Sequence, residues 1–137
     1  MFILLVTQIM TSAHAGTIPI YKGQIVLTLS KHNHFIFPKG NIEKNETASE
    51  AAVRETMEES GCIGELFGDP IKVKHEGYTI VYYKMHVTKI HKHFEEEKRR
   101  KLLMTRPQDA VDNKQVALYV RKIIHDELVV DRLLDHD

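Results

Sequence analysis

Three glutamates, Glu55, Glu58 and Glu59, stand at i, i+3 and i+4 in the run Arg54-Glu55-Thr56-Met57-Glu58-Glu59. On a helix this spacing puts all three carboxylates on one face, with neighbouring Cβ atoms about 5–6 Å apart. Like charges that close destabilise a bare helix, so the pattern calls for a compensating cation. Hard oxygen ligands in this number suit Mg2+, with Mn2+ as the alternative. Arg54 can hold a carboxylate in a fixed orientation by a forked hydrogen bond. Gly40, with no side chain, lets the preceding loop bring backbone carbonyls close to the same ions. Taken alone, a Glu-x-x-Glu-Glu run is most often a solvated acidic face. Its surroundings in the chain decide between the two.

The element carrying these residues is the clearest helix of the sequence, predicted over Ala48–Ser60. Thr47 caps it, Glu50 three residues later completes a capping box, and Gly61 stands where a C-terminal cap ends it. Val53 and Met57 are assigned to the core by their helical spacing. Ala48, Ala51 and Ala52 leave room either for a ligand or for close packing on a sheet. Upstream, Thr17-Ile18-Pro19-Ile20 and Gln24–Leu29 read as two strands joined by the turn Tyr21-Lys22-Gly23. Phe35-Ile36-Phe37 is a third apolar run, which Pro38-Lys39-Gly40 breaks into a loop. Downstream, Ile71-Lys72-Val73-Lys74 and residues 78–87 form a second hairpin about His75-Glu76-Gly77. The densely charged residues 89–101 are assigned to a loop and Leu102-Leu103-Met104 to a short strand. Thr105 caps a helical turn. Val116, Val120, Ile123, Ile124 and Leu128 recur at helical spacing, which predicts a helix over residues 113–128. Strands, helix, strands and helix with hairpin-length links argue an α+β domain with a mixed sheet between helices.

Composition narrows the function classes. The 137 residues include 19 Lys+Arg against 19 Asp+Glu, a formal net charge of zero, with 42% hydrophobic and 28% charged residues. One domain fits this length, and disordered or fibrous chains are excluded. Zero net charge removes the global basic field that duplex nucleic acid would favour. Cys62 is the sole cysteine, so the chain has no internal disulfide and no cysteine cluster for zinc. A reducing, cytoplasmic compartment follows as the expectation. His32, His34, His75, His91 and His93 are scattered over predicted loops and turns and read as surface titrating groups. Residues 1–10 are mostly apolar and Ser12-Ala13-His14-Ala15 looks like a signal cleavage site, but no Lys or Arg precedes the run. The run is also too short to span a bilayer. Residues 1–15 are therefore assigned to an N-terminal extension or strand and 16–137 to the domain, with a secretion signal or a start at Met10 as rivals. The Asn45-Glu46-Thr47 acceptor pattern is discounted as too short to carry weight.

The wider spacing around the glutamates is Gly40-x5-Glu46-x7-Arg54-Glu55-x-x-Glu58-Glu59-x-Gly61. Seven fixed positions coincide by chance on the order of once in 10^8 starting points at average residue usage. The segment resembles the signature of the Nudix hydrolases. That resemblance implies a Nudix fold, an α/β/α sandwich, and metal-dependent hydrolysis of a nucleoside diphosphate linked to another moiety. It implies Glu55, Glu58 and Glu59 as metal ligands, Glu46 as an auxiliary outer ligand, the Lys39 carbonyl as a further ligand and Arg54 as the orienting residue. The general base is either Glu55 or one of Glu95, Glu96 and Glu97. Thr56 and Cys62 stand where the signature has hydrophobic residues, which calls only for local adjustment.

Phe37-Pro38-Lys39-Gly40, together with residues 82–88, 94–100 and 106–110, is similar to the diphosphoinositol polyphosphate phosphohydrolase and diadenosine polyphosphate hydrolase subgroups. The likeness covers roughly residues 15–128, although Leu102-Leu103-Met104 replaces an aromatic residue usual after the arginines. It favours diadenosine or diphosphoinositol polyphosphates as substrates. Lys39, Arg99 and Arg100 suit a ligand with several phosphates. Each also has an ordinary role as a solvated loop charge. Two alternatives stay open: a housecleaning nucleoside triphosphate or RNA 5′ pyrophosphohydrolase, and a nucleotide-sensing module without turnover. The implied partner is a small phosphoanhydride substrate, not a membrane or duplex nucleic acid, and a homodimer is compatible with the sequence.

Overall fold

Two tight turns organise the sheet of the computed structural model, which describes residues 13–129. Lys22 and Gly23 have φ of 51° and 79°, the paired positive values of a two-residue hairpin turn whose twist matches its strands. They join β1 (Ala13–Tyr21) to β2 (Gln24–Leu29). Glu76 and Gly77, at 50° and 85°, repeat the device between β5 (Cys62–His75) and β6 (Tyr78–Ile90). With β3 (Phe35–Ile36), β4 (Lys39–Asn41) and β7 (Leu102–Thr105) they build a seven-stranded sheet. Its path is β3-β2-β1-β6-β5, with β4 also on β1 and β7 also on β2. Among the described strand pairs the β1–β6 pair alone is parallel, so the sheet is mixed.

Alternation along β1 sends neighbouring side chains to opposite faces. Ala15 packs with Ala51 and Ala52 of α1 (Ala48–Ser60), and the hydroxyls of Thr17 and Thr56 hydrogen-bond at 2.6 Å. The small alanines thus serve close packing on the sheet. On the other face Ile18, Ile25, Leu27, Phe37, Ile80 and Tyr82 form the main core. They are covered by α2 (Pro107–Ala110), α3 (Leu118–Ile124) and a π-helical turn, His125–Val129. The architecture is the expected α+β arrangement, with helices on both faces of a mixed sheet.

Several expectations need correction. β5 is 14 residues long, whereas the sequence pointed only to residues 71–74. Gly64, Gly68 and Pro70 look like breakers, but register shifts at Ile63/Gly64 and Phe67/Ile71 absorb them as irregularities in one strand. Residues 39–41 are a strand paired with β1, not a loop, and β6 continues to Ile90 inside the segment assigned to a loop. Thr105 belongs to β7, and the N-cap of α2 is Arg106, which makes no side-chain cap bond.

The C-terminal helix begins only at Leu118. Phe35 donates its N–H to the Gln115 carbonyl at 2.8 Å and accepts from the Ala117 N–H at 3.0 Å. This bridge to β3 engages residues 115–117 in sheet-like pairing, and the period that includes Val116 therefore overstates the helix. Val53 is 36% exposed, not in the core, because α1 seats on the sheet through Ala51, Ala52, Thr56, Glu59 and Ser60. Met57 is half-buried. Residues 1–10 lie outside the described residues, while Ala13, His14 and Ala15 of the cleavage-like motif open β1.

Candidate active site

The acidic helix is fixed in phase at both ends. Thr47 accepts from the Glu50 N–H at 3.1 Å while Glu50 accepts from the Thr47 N–H at 2.9 Å, a complete capping box. Gly61 ends the helix in the left-handed region, at φ 78°, and donates to the Met57 carbonyl at 3.0 Å.

Arg54 gathers the carboxylates. Its Nε and Nη2 donate to the two oxygens of Glu46 at 2.7 and 3.0 Å, and Nη1 reaches Glu55 at 2.9 Å and Glu58 at 3.3 Å. Nη2 also donates to the Asn41 carbonyl at 2.9 Å, tying α1 to β4. The fork holds the Glu46 carboxyl down to about 2, helped by the Glu43 N–H, and keeps Arg54 firmly cationic. Glu46, expected as an outer metal ligand, thus has both oxygens engaged by the guanidinium. Across from it, any Cβ on Gly40 would run into the Glu55 carboxyl group. Glycine at this position is what lets Glu55 lie against the strand.

Glu59 is the buried member, only 2% exposed. Burial, then its contact with Glu55, raises its pKa well above the usual carboxylate range, and the Arg100 charge opposes this. It accepts from the Lys39 N–H at 3.3 Å, and Arg100 Nη2 stands 3.9 Å away. Glu58 is also raised, mainly by desolvation. Arg100 in turn pairs with Glu96 at 2.9 Å. Glu96 donates its backbone N–H to the Glu58 carbonyl at 2.9 Å, which docks the 91–101 loop on the end of α1.

Glu59 lies at the floor of a cleft of about 1180 Å³ whose walls include Lys39, Glu96, Arg99 and Arg100. Of the three loop glutamates, Glu96 alone among the described residues lines it; Glu95 is exposed and Glu97 pairs with His93. Lys39 Nζ donates to the Tyr78 hydroxyl at 3.3 Å, and the His14 ring packs tilted by 31° against that ring at 4.3 Å between centroids. Sequence reasoning missed His14, Tyr78 and the Asn41 carbonyl, because only the pairing of β1 with β4 and β6 brings them here. As the side chains stand, no three His, Cys, Asp or Glu among the described residues converge at metal-ligand spacing. Arg54 and Arg100 lie among the carboxylates instead. The donor set still suits a hard cation: all carboxylate oxygen, on one helix face, with one buried acid whose ionisation is held back.

The NUDIX domain family model matches residues 10–121. The chain is 47% identical over 53 residues to Nudix hydrolase 13, mitochondrial, of Arabidopsis thaliana, covering 38% of this chain and 26% of that protein. It is 45% identical over 42 residues to Nudix hydrolase 4 of the same plant, covering 31% and 20%. The alignments thus span about a quarter or less of those relatives. A NUDIX family hydrolase from Clostridium perfringens superposes with a TM-score of 0.71 at 17% identity, covering 89% of this chain and 97% of that one. An Ap4A hydrolase from C. elegans, in a binary complex, gives 0.67 at 16% identity over 93% and 100%. The helix, its glutamates and the mixed sheet therefore agree with a match over most of the length: the chain belongs to the Nudix family.

Proposed function

We propose that this chain is a divalent-metal-dependent hydrolase of phosphoanhydride bonds, acting on polyphosphorylated substrates such as diadenosine or diphosphoinositol polyphosphates. The observation that carries the reading is the buried Glu59 beside Glu55 and Glu58, at the floor of a cleft with basic walls. Glu55, Glu58 and Glu59 would hold Mg2+ or Mn2+, with the Lys39 carbonyl as a further donor. Bound there, the metal would supply an activated water and neutralise charge on the anhydride oxygens.

The protein's own groups have separate tasks. Arg54 holds Glu55 and Glu58 in place, and Glu46 holds Arg54. The Lys39 ammonium, Arg99 and Arg100 bind phosphate oxygens. Glu96, which lines the cleft, is the loop counterpart of Glu55 as general base. The single buried thiol, Cys62, fits a reducing, cytoplasmic compartment. Among the described residues no helix is long and apolar enough to cross a membrane.

The test is a panel of dinucleoside polyphosphates, inositol pyrophosphates, nucleotide sugars, nucleoside triphosphates and 5′-triphosphorylated RNA, with Mg2+, with Mn2+ and with chelator. The reading expects metal-dependent release from the first two classes. It expects near-total loss of turnover in Glu59→Gln. Preference for triphosphates or RNA ends would point to the housecleaning alternative. Ligand binding without product under both metals would make the chain a sensor and overturn the hydrolase reading.

A further inference from the structure

Charge is distributed unevenly over this protein. The whole chain is neutral, yet the cleft is lined by Lys31, Lys39, Arg99, Arg100, Lys114 and Arg121 against only Glu59, Glu76 and Glu96. Three of these cations are held near the acidic residues: Arg100 pairs with Glu96 and approaches Glu59, Arg99 stands 3.9 Å from Glu96, and Lys39, whose N–H meets Glu59, bonds the Tyr78 hydroxyl. Arg121 donates to the Val116 carbonyl at 3.1 Å, whereas Lys31 and Lys114 make neither an ion pair within 4.0 Å nor a side-chain hydrogen bond among the described residues. They come from segments far apart in the chain. Lys31, with His32 and His34, sits on the β2–β3 turn, where Ser30 Oγ accepts from the backbone N–H groups of both histidines at 3.2 and 3.3 Å. Lys114 precedes the stretch that pairs with β3. The two bonds between Phe35 and residues 115 and 117 clamp the segments together, with Val116 fully buried beneath. A strand bridge thus brings together on one cleft wall cations that have no ion-pair partner among the described residues.

We propose that Lys31, His32, His34 and Lys114 form a second anion subsite that binds phosphate groups remote from the cleaved anhydride, and so selects long or densely phosphorylated substrates. This rests on the hydrolase reading above. The shared ligand chemistry is a polyanion extending beyond a single pyrophosphate, either a long dinucleoside polyphosphate or an inositol pyrophosphate.

The test compares wild type with Lys31→Glu/Lys114→Glu and with a control of equal charge change outside the cleft, Lys72→Glu/Lys89→Glu. Substrates are diadenosine diphosphate, diadenosine hexaphosphate and a diphosphoinositol pentakisphosphate. For the cleft variant KM rises roughly tenfold or more on the two long polyanions and less than about twofold on diadenosine diphosphate, with kcat unchanged. The polyanion that suffers more identifies the source. A second arm titrates inorganic tripolyphosphate calorimetrically in chelator, with folding checked by circular dichroism. Binding should weaken in the cleft variant and hold in the control. If tripolyphosphate binding depends on Lys31 and Lys114 while wild type turns over no substrate, the subsite stands and the hydrolase reading falls. Equal losses on short and long substrates, equal losses in the control, or unchanged tripolyphosphate binding overturn the proposal.

Discussion

Replacing Glu59 by glutamine separates what this acid does for the fold from what it does for chemistry. Burial and the neighbouring Glu55 push the Glu59 carboxyl up to about 9, from an ordinary value of 4.5. A carboxyl with a higher pKa folded than unfolded favours the fold only while protonated. Below pH 4.5 it therefore costs nothing; the cost grows as pH rises through the window between the two values and levels off above the upper one. At pH 7 the metal-free wild type is well inside that window, and at 1.36 kcal/mol per pH unit the penalty is on the order of 3 kcal/mol. Glutamine keeps the shape, accepts from the Lys39 N–H and donates to Glu55 without carrying charge. Glu59→Gln should thus be more stable than wild type in EDTA at pH 7, with Tm higher by up to about 10 °C for a domain of this size. The gain should shrink to nothing by pH 4. Mg2+ should raise the wild-type Tm and leave the variant nearly unmoved, because only the wild type gains a ligand for its acid. Thermal unfolding across pH, with and without Mg2+, measures all of this. A variant no more stable than wild type in EDTA at pH 7, or a gap that widens toward acid, would refute the reasoning.

Other perturbations probe the rest of the site. Arg54→Gln strands Glu46, Glu55 and Glu58 without their shared cation and should lower stability in urea titrations. Since Glu46 is held at about 2, its contribution is complete above pH 4.5 and vanishes as pH falls through 2, so the gap between wild type and Arg54→Gln should narrow over that range. Gly40→Ala should cost little stability but weaken Mg2+ binding measured by calorimetry, because the new methyl displaces the Glu55 carboxyl, the movable end of its side chain. Wild-type Mg2+ affinity in that variant would show that Glu55 need not lie there. Thr17→Val removes the 2.6 Å bond to Thr56 but leaves the Thr56 hydroxyl donating to the Ala52 carbonyl at 2.7 Å, so chemical denaturation should record a loss of only about 1 kcal/mol.

The helix was the most legible element because its signals are local. Thr47, Glu50 and Gly61 mark its ends through bonds only three or four residues long, and both ends hold in the structure. The glutamate face could be read for the same reason. What escaped depends on partners distant in the chain. Val116 fits a helical period, yet its neighbours Gln115 and Ala117 bond to the distant Phe35, and the sheet overrides the period. Gly68 and Pro70 suggest a break, but β6 is long enough to carry β5 across the bulge. Val53 shows the limit of spacing arguments. In a helix seated on alanines, the volume that fits beneath decides which side faces the sheet, and a polar Thr56 can win a buried place by hydrogen bonding. Tyr78 and His14 carry no motif, and only the pairing of β1 with both β4 and β6 sets them beside Lys39.

The stretch between β6 and β7 is moored at three places. His91 donates to the Gly61 carbonyl at 2.8 Å, Glu96 to the Glu58 carbonyl at 2.9 Å, and Leu29 to the Lys101 carbonyl at 2.9 Å. Phe94 also presses against Gly61, where an added Cβ would come within 2.9 Å of its ring. Inserting or deleting a residue between His91 and Glu96 would therefore drag the last turn of the helix or cast off its carbonyls. Exchanging this segment between relatives will transfer specificity only when the graft preserves the spacing of those moorings.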